Sequence, residues 1–198
     1  MTGNAIVSVY DKTGLEGLAR SFEKHKVAII GSGGTADALR KMGADVTDVS
    51  TYTGFAEIPG GLVKTLHPRI HAGILGDWED PLQKEYLQTN NVRPFDFVVV
   101  NLYPFSKVVQ SDPGNFRNAA DNIDIGGVTL IRAAAKGALL NHRVVPVTSP
   151  ERYAEITHEL DMNGKVGEAV RMRMAREAFT LTSNYDRAIS DYLEKMVK

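Results

Sequence analysis

The sequence predicts an α/β fold, a mainly parallel sheet with helices on its faces, followed by a helical C-terminal extension. Three observations predict it. Short β-branched runs alternate with helical patterns up to about residue 150, a later run is apolar almost without a break, and the stretch from about Pro150 onward keeps helical periodicity.

In chain order, AIVSV (Ala5 to Val9) reads as a strand, Leu15, Leu18, Ala19 and Phe22 fall at helical spacing, and VAII (Val27 to Ile30) is the next strand. This is a βαβ unit, whose two strands run parallel. A second helix, TADALRKMG, begins at Thr35 and stops near Gly43, and DVTDV (Asp45 to Val49) forms a third strand. Residues 50 to 76 are rich in Gly, Pro and polar side chains without a sustained period, the mark of a long functional loop. A short helix (Pro81 to Asn90) leads into FDFVVVNL (Phe95 to Leu102), the unbroken apolar pattern of a central parallel strand. A loop, the segment IDIGG (Ile123 to Gly127), a helix from about Val128 to Leu140 and the strand RVVPV (Arg143 to Val147) follow. The remainder is helical over roughly Pro150 to Met162 and Val166 to Val197, with Val166, Val170, Met174, Ala178, Leu181, Tyr185 and Ile189 on one stripe. A single domain, residues 1 to 198, covers everything, with the sheet core in about 1 to 150 and the helical extension in about 151 to 198.

Composition narrows the function classes. The 198 residues are 43% apolar and 24% charged, the usage of an ordinary globular protein. With 23 Lys+Arg against 24 Asp+Glu the net charge is -1, so no global field draws in nucleic acid or an anionic membrane. The absence of cysteine excludes disulfides, thiolate catalysis and cysteine-based zinc sites. Neither a basic, apolar leader nor a membrane-length apolar run is present, so a cytoplasmic location is expected.

Chemistry concentrates at strand ends. Ser32, Gly33, Gly34 and Thr35 lie between a strand and a helix, where unpaired N–H groups and the helix dipole favour an anion. Asp11, Lys12 and Thr13 occupy the matching turn after the first strand, so both turns can face one phosphate. Gly31, Gly33 and Ala36 also satisfy GxGxxA with Asp48 as a ribose ligand, but a dinucleotide fingerprint normally follows the first strand of its unit. His67 and His71 have a zinc-ligand spacing; Pro68 between them reads better as helix initiation, and no metal site is expected. Lys64 and Thr65, Asn101 and Tyr103, Asp124 and Lys136 can converge at one sheet edge, with Asp124 before its glycine pair also reading as a helix cap.

At SVYDKTG, SGGT, DVSTYTGFAEIPGGLVKTLHPRIHAGIL, VVVNLYPF, NIDIGGVTLIRAAAK and AFTLTSNYD, in that order, the sequence resembles the cyclohydrolase domain of the bifunctional purine-synthesis enzymes. The resemblance implies a methylglyoxal-synthase-like fold and conversion of 5-formamidoimidazole-4-carboxamide ribonucleotide to IMP, with no cofactor or metal. It further implies that Lys12 and the SGGT turn hold the 5′-phosphate while Asp11, Thr65 and Asn101 seat the nucleotide. Lys136 is implied as proton donor and acceptor, Asp124 orients or deprotonates the carboxamide, and Lys64 and Tyr103 stabilise the tetrahedral oxygen. The backbone amides of Ile125, Gly126 and Gly127 would add donors to that oxygen. Homodimerisation is implied as well. Leu62 stands where the family usually has Arg, and no formyltransferase portion follows in this sequence, so folate binding is not expected; either the chain is a stand-alone enzyme supplied by a separate formyl-transferring enzyme, or it is a piece of a longer protein cut at the domain boundary. A regulatory module using the same fold to bind a phosphorylated ligand is the alternative; it would need the phosphate turns but not Lys64, Tyr103, Asp124 and Lys136 together.

Overall fold

The computed structural model describes residues 3–56 and 63–196. Five strands, β1 (Gly3–Val9), β2 (Val27–Gly31), β3 (Val46–Asp48), β4 (Phe97–Asn101) and β5 (Val145–Val147), form one sheet in the order β3-β2-β1-β4-β5. Every pair is parallel, as helical crossovers require. Alternation sorts the strands between two cores. Ala5, Val7 and Val9 of β1 and Phe97 and Val99 of β4 face one, while Ile6, Val98 and Val100 face the other. Both faces are therefore apolar, which is why FVVV lacks a polar alternation.

Helices α1 (Leu15–Lys24) and α2 (Gly33–Lys41) cover the first face. On the second lie α3 (Val49–Thr53), α4 (Pro68–Leu75) and the apolar α8 (Gly126–Leu140), giving three layers; α5 (Pro81–Thr89) precedes β4. The expected loop of residues 50 to 76 thus contains α3 and α4. Helix α4 carries too few turns to show a period, yet Pro68 stands at its first position and His67 Nδ1 caps it by accepting the Arg69 N–H at 3.1 Å. Two further short helices, α6 (Phe105–Ser111) and α7 (Phe116–Asp121), occupy a stretch expected as loop.

The C-terminal helices are not an appendage. Tyr153, Ile156 and Leu160 of α9 (Tyr153–Asn163) fill the first core, and Ala175 and Ala178 of α10 (Glu168–Met196) fill the second. The far half of α10 carries Tyr185 and Tyr192 against Phe105 and Ala119, fixing the loop after β4. Among the described residues no helix is long and apolar enough to cross a membrane.

Candidate active site

The chain crosses from β3 back over β1 to β4, so the strand order reverses between β1 and β4, and a crevice opens beyond their carboxyl ends. There a cleft of about 330 Å³ is lined by the turn after β1, the start of α2, the Val63–Thr65 turn, the end of β4 and the start of α8. It gathers Lys12, Ser32, Gly34, Thr35, Lys64, Thr65, Asn101, Tyr103, Asp124, Ile125, Gly126 and Gly127.

Its floor is tied together by hydroxyls. The Thr35 hydroxyl accepts the Val9 N–H at 3.0 Å and donates to the Val9 carbonyl at 3.1 Å, closing α2 onto β1. Ser32 donates to Ser8 Oγ at 2.9 Å. Helix geometry leaves the Gly33 and Gly34 amides without intrahelical acceptors, so they remain as donors for an anion. Gly33 has φ of 40°, and a Cβ there would collide with the Lys64 ammonium group. Lys64 therefore stands over the phosphate-type turn itself. Its neighbour Val63 has φ of 52°, a strained conformation for a β-branched residue and one held here beside the site.

The turn after β1 is shaped from opposite sides. Asn101 Oδ1 accepts the Tyr10 and Asp11 N–H groups at 2.7 and 2.9 Å, and its Nδ2 donates to the Asp11 carbonyl at 2.9 Å. Asn101 thus fixes the turn that presents Lys12. The Asp11 carboxylate accepts the Thr13 hydroxyl and N–H at 2.7 and 2.9 Å, which hold its pKa below the ordinary value. The Asp11 carboxylate is thus bent into its own turn and lines the adjoining pocket with Lys12, Asn101 and Tyr103 rather than this cleft. Tyr103 is half exposed and stacks on Tyr10 with ring centroids 5.1 Å apart, forming one wall.

At the opposite wall the Asp124 carboxylate accepts the Gly127 N–H at 2.7 Å. Burial pushes its pKa up, opposed by the Gly127 and Tyr103 backbone amides. The cap expected from sequence is present, and it occupies the Gly127 amide. Only the Ile125 and Gly126 amides remain of the three expected oxyanion donors. Both glycines are needed for the fit, because a Cβ on Gly126 would lie 2.8 Å from Thr65 Oγ1 and one on Gly127 would lie 2.7 Å from Asp124 Oδ2. Tyr185 was legible only as part of an apolar stripe, yet its hydroxyl accepts the Asp124 N–H at 2.8 Å and donates to the Asn122 carbonyl at 3.2 Å. A phenol inside such a stripe is the one sequence signal for this anchor, since its polar end needs a partner when buried.

Lys136 is not brought to the cleft. It is exposed on α8, ten residues beyond Gly126 and so about 15 Å along the axis at 1.5 Å per residue. Counting residues could not show that the helix runs away from the sheet edge. Leu62 lies outside the described residues. Asp48 pairs with Arg40, which removes it as a ribose ligand for a dinucleotide. His67 is spent on its cap, and burial holds the His71 pKa below its ordinary value against a hydrogen bond to the Thr65 backbone. Among the described residues no group of three side chains could hold a metal ion.

Comparison with known proteins agrees with this architecture. The MGS-like domain model matches residues 14–129, and the AICARFT/IMPCHase bienzyme model matches residues 134–198. Curated relatives include the bifunctional purine biosynthesis protein PurH of Rippkaea orientalis, 46% identical over 194 residues, covering 97% of this chain and 37% of the relative. PurH of Leptospira biflexa is 44% identical over 193 residues, with 96% and 37% covered. The chain thus spans little more than a third of the length of these relatives. The crystal structure of ForH superposes with a TM-score of 0.83 at 27% identity, covering 98% of this chain and 100% of that one. Sheet order, strand-end turns and family matches converge, and the chain belongs to the MGS-like domain family.

Proposed function

We propose that the chain is an IMP cyclohydrolase, closing the ring of 5-formamidoimidazole-4-carboxamide ribonucleotide. The carboxamide nitrogen attacks the formyl carbon and its proton passes to the carbonyl oxygen; the resulting carbinolamine then loses that hydroxyl together with the formamido N–H proton as water, forming the C=N bond of IMP. One observation carries the reading: a single cleft joins a phosphate-type turn flanked by Lys12 and Lys64 to a half-buried carboxyl beside free helix-start amides. The PurH relatives and the AICARFT/IMPCHase match support it.

In this reading Lys12, Lys64 and the Gly33 and Gly34 amides hold the 5′-phosphate, with Ser32, Thr35 and Asn101 keeping those groups in place. Thr65 faces the nucleotide. Both reacting groups belong to one bound molecule, so orientation supplies much of the acceleration. Asp124 accepts the carboxamide proton as the new C–N bond forms, a role suited to a carboxyl whose proton affinity is raised. The Ile125 and Gly126 amides and the Tyr103 hydroxyl stabilise the tetrahedral oxygen. The reaction is a dehydration without redox change, and the mechanism uses this chain's groups alone. A formyl-transferring reaction must precede it.

Lys136 fits the chemistry in one arrangement. Its side chain is exposed beside the exposed apolar Leu139 and Leu140, and Met172 of α10 is exposed nearby on the same groove as Leu139. Ring closure as proposed therefore needs a homodimer packed on this strip, so that Lys136 reaches a neighbouring copy's cleft and protonates the departing oxygen.

The test is the ultraviolet change on mixing protein and ribonucleotide without added metal or folate, alongside equilibrium dialysis of the same ligand. Conversion to IMP supports the reading. Tight binding without IMP formation would transfer the chain to the regulatory alternative.

A further inference from the structure

A second cavity, of about 530 Å³, lies apart from the cleft and shares none of its lining residues. Tyr52, Arg69, Trp78, Gln88, Asn91 and Arg93 supply its distinctive groups. The Arg69 and Arg93 guanidinium carbons stand 5.9 and 5.7 Å from the Tyr52 ring centroid. Among the described residues neither arginine pairs with a carboxylate, whereas Arg40, Arg143 and Arg152 all do. Asp80 caps α5, accepting the Leu82 N–H at 2.9 Å, and Asp77 accepts the Glu79 N–H at 2.9 Å. Trp78 carries an indole N–H that is out of solvent and has no hydrogen-bond partner. Two uncompensated planar cations on one aromatic ring, an orphan donor and two side-chain amides make a concave polar site without an internal occupant.

We infer that this cavity binds a nucleoside monophosphate, its phosphate held by Arg69 and Arg93 and its base set against Trp78 with Gln88 and Asn91 reading its edge. Guanidinium forks match phosphate oxygens in pairs, and an aromatic ring with amides at its border suits a heterocycle better than a bare anion. The site has a route to the cleft. Arg69 donates to the Tyr52 carbonyl at 2.8 Å and sits in the first turn of α4, directly after the turn that carries Lys64 and Thr65. A ligand engaging Arg69 therefore pulls on the segment that shapes the phosphate-type turn.

The sequence contains one tryptophan, so emission excited to the red of tyrosine absorption reports on Trp78 alone. AMP is titrated into the full chain and into Lys12→Ala and Arg93→Ala variants, with inorganic phosphate as the comparison. Arg93→Ala keeps the 2.9 Å bond from the Arg93 backbone N–H to Tyr52 Oη, so the loop stays anchored. The expected result is a saturable change in Trp78 emission that survives in Lys12→Ala, weakens by about tenfold or more in Arg93→Ala, and needs much more phosphate than AMP. No saturable change up to about 5 mM AMP overturns the site. So does a response that persists unaltered in Arg93→Ala, is lost in Lys12→Ala, or is matched by phosphate at equal concentration. None of these readouts depends on ring closure.

Discussion

Asp124 concentrates the chemistry of the cleft in one carboxyl. Its burial outweighs the two amides that stabilise the ionised form, so its folded-state pKa lies above the ordinary value. As a base it must be ionised, and kcat/KM is expected to climb with pH through a midpoint above the usual carboxylate range. Asp124→Asn should flatten that limb in a pH-rate profile and lower kcat by about 10²- to 10³-fold. The stability sign is opposite. A carboxyl with a raised folded pKa contributes stability below its unfolded pKa, and that contribution is lost as pH rises through the folded value. Above the folded pKa the ionised carboxylate is held against its burial, so a thermal melt of Asp124→Asn taken there should lie no lower than the parent's. At this scale the sequence brought Lys12, Lys64, Tyr103 and Asp124 to one sheet edge, and the structure lines one cleft with them, because short strand-end turns confine where their side chains can go. It could not show that Asp11 bonds its own turn or that Asp124 occupies the Gly127 amide, since both depend on local hydrogen bonds that compete with ligand contacts.

Elements place these residues through contacts that sequence periodicity does not encode. The turn before α2 closes tightly only because Gly33 can take a positive φ beneath Lys64. Gly33→Ala should cost about 1–3 kcal/mol in denaturant unfolding and, if the displaced groups hold the phosphate as proposed, raise KM more than it lowers kcat. Helix α10 acts from the other wall by holding the Asp124 turn through Tyr185. Tyr185→Phe strands the Asp124 N–H and the Asn122 carbonyl, so unfolding should show a loss of about 1–3 kcal/mol, with kcat falling further than KM rises. An unchanged kcat would remove α10 from the catalytic account. The regular helices and all five strands were legible because each carries an apolar period or an unbroken apolar run. Helices α4, α6 and α7 are too short for a period to stand out, and only Pro68 announced one of them.

For the whole molecule, the reversal of strand order between β1 and β4 creates the crevice, and both flanking cores hold its walls. Parallel order followed from the βαβ pattern, but the neighbours of β4 did not, because a crossover may return on either side of the sheet. The same geometry directs α8, and Lys136 with it, away from the cleft, so the proposed function needs Lys136 from a neighbouring copy. Lys64→Ala and Lys136→Ala should each be impaired alone, while an equal mixture allowed to exchange subunits should regain about a quarter of parental activity, from hybrids with one intact cleft. Failure to regain activity would contradict the shared site. The most direct test of the central claim, ring closure within the β1–β4 crevice, is steady-state kinetics of IMP formation by the parent, Lys12→Ala and Asp124→Asn. Lys12→Ala should raise KM and Asp124→Asn should collapse kcat with KM nearly unchanged, whereas parental kcat in Asp124→Asn would move ring closure out of this crevice.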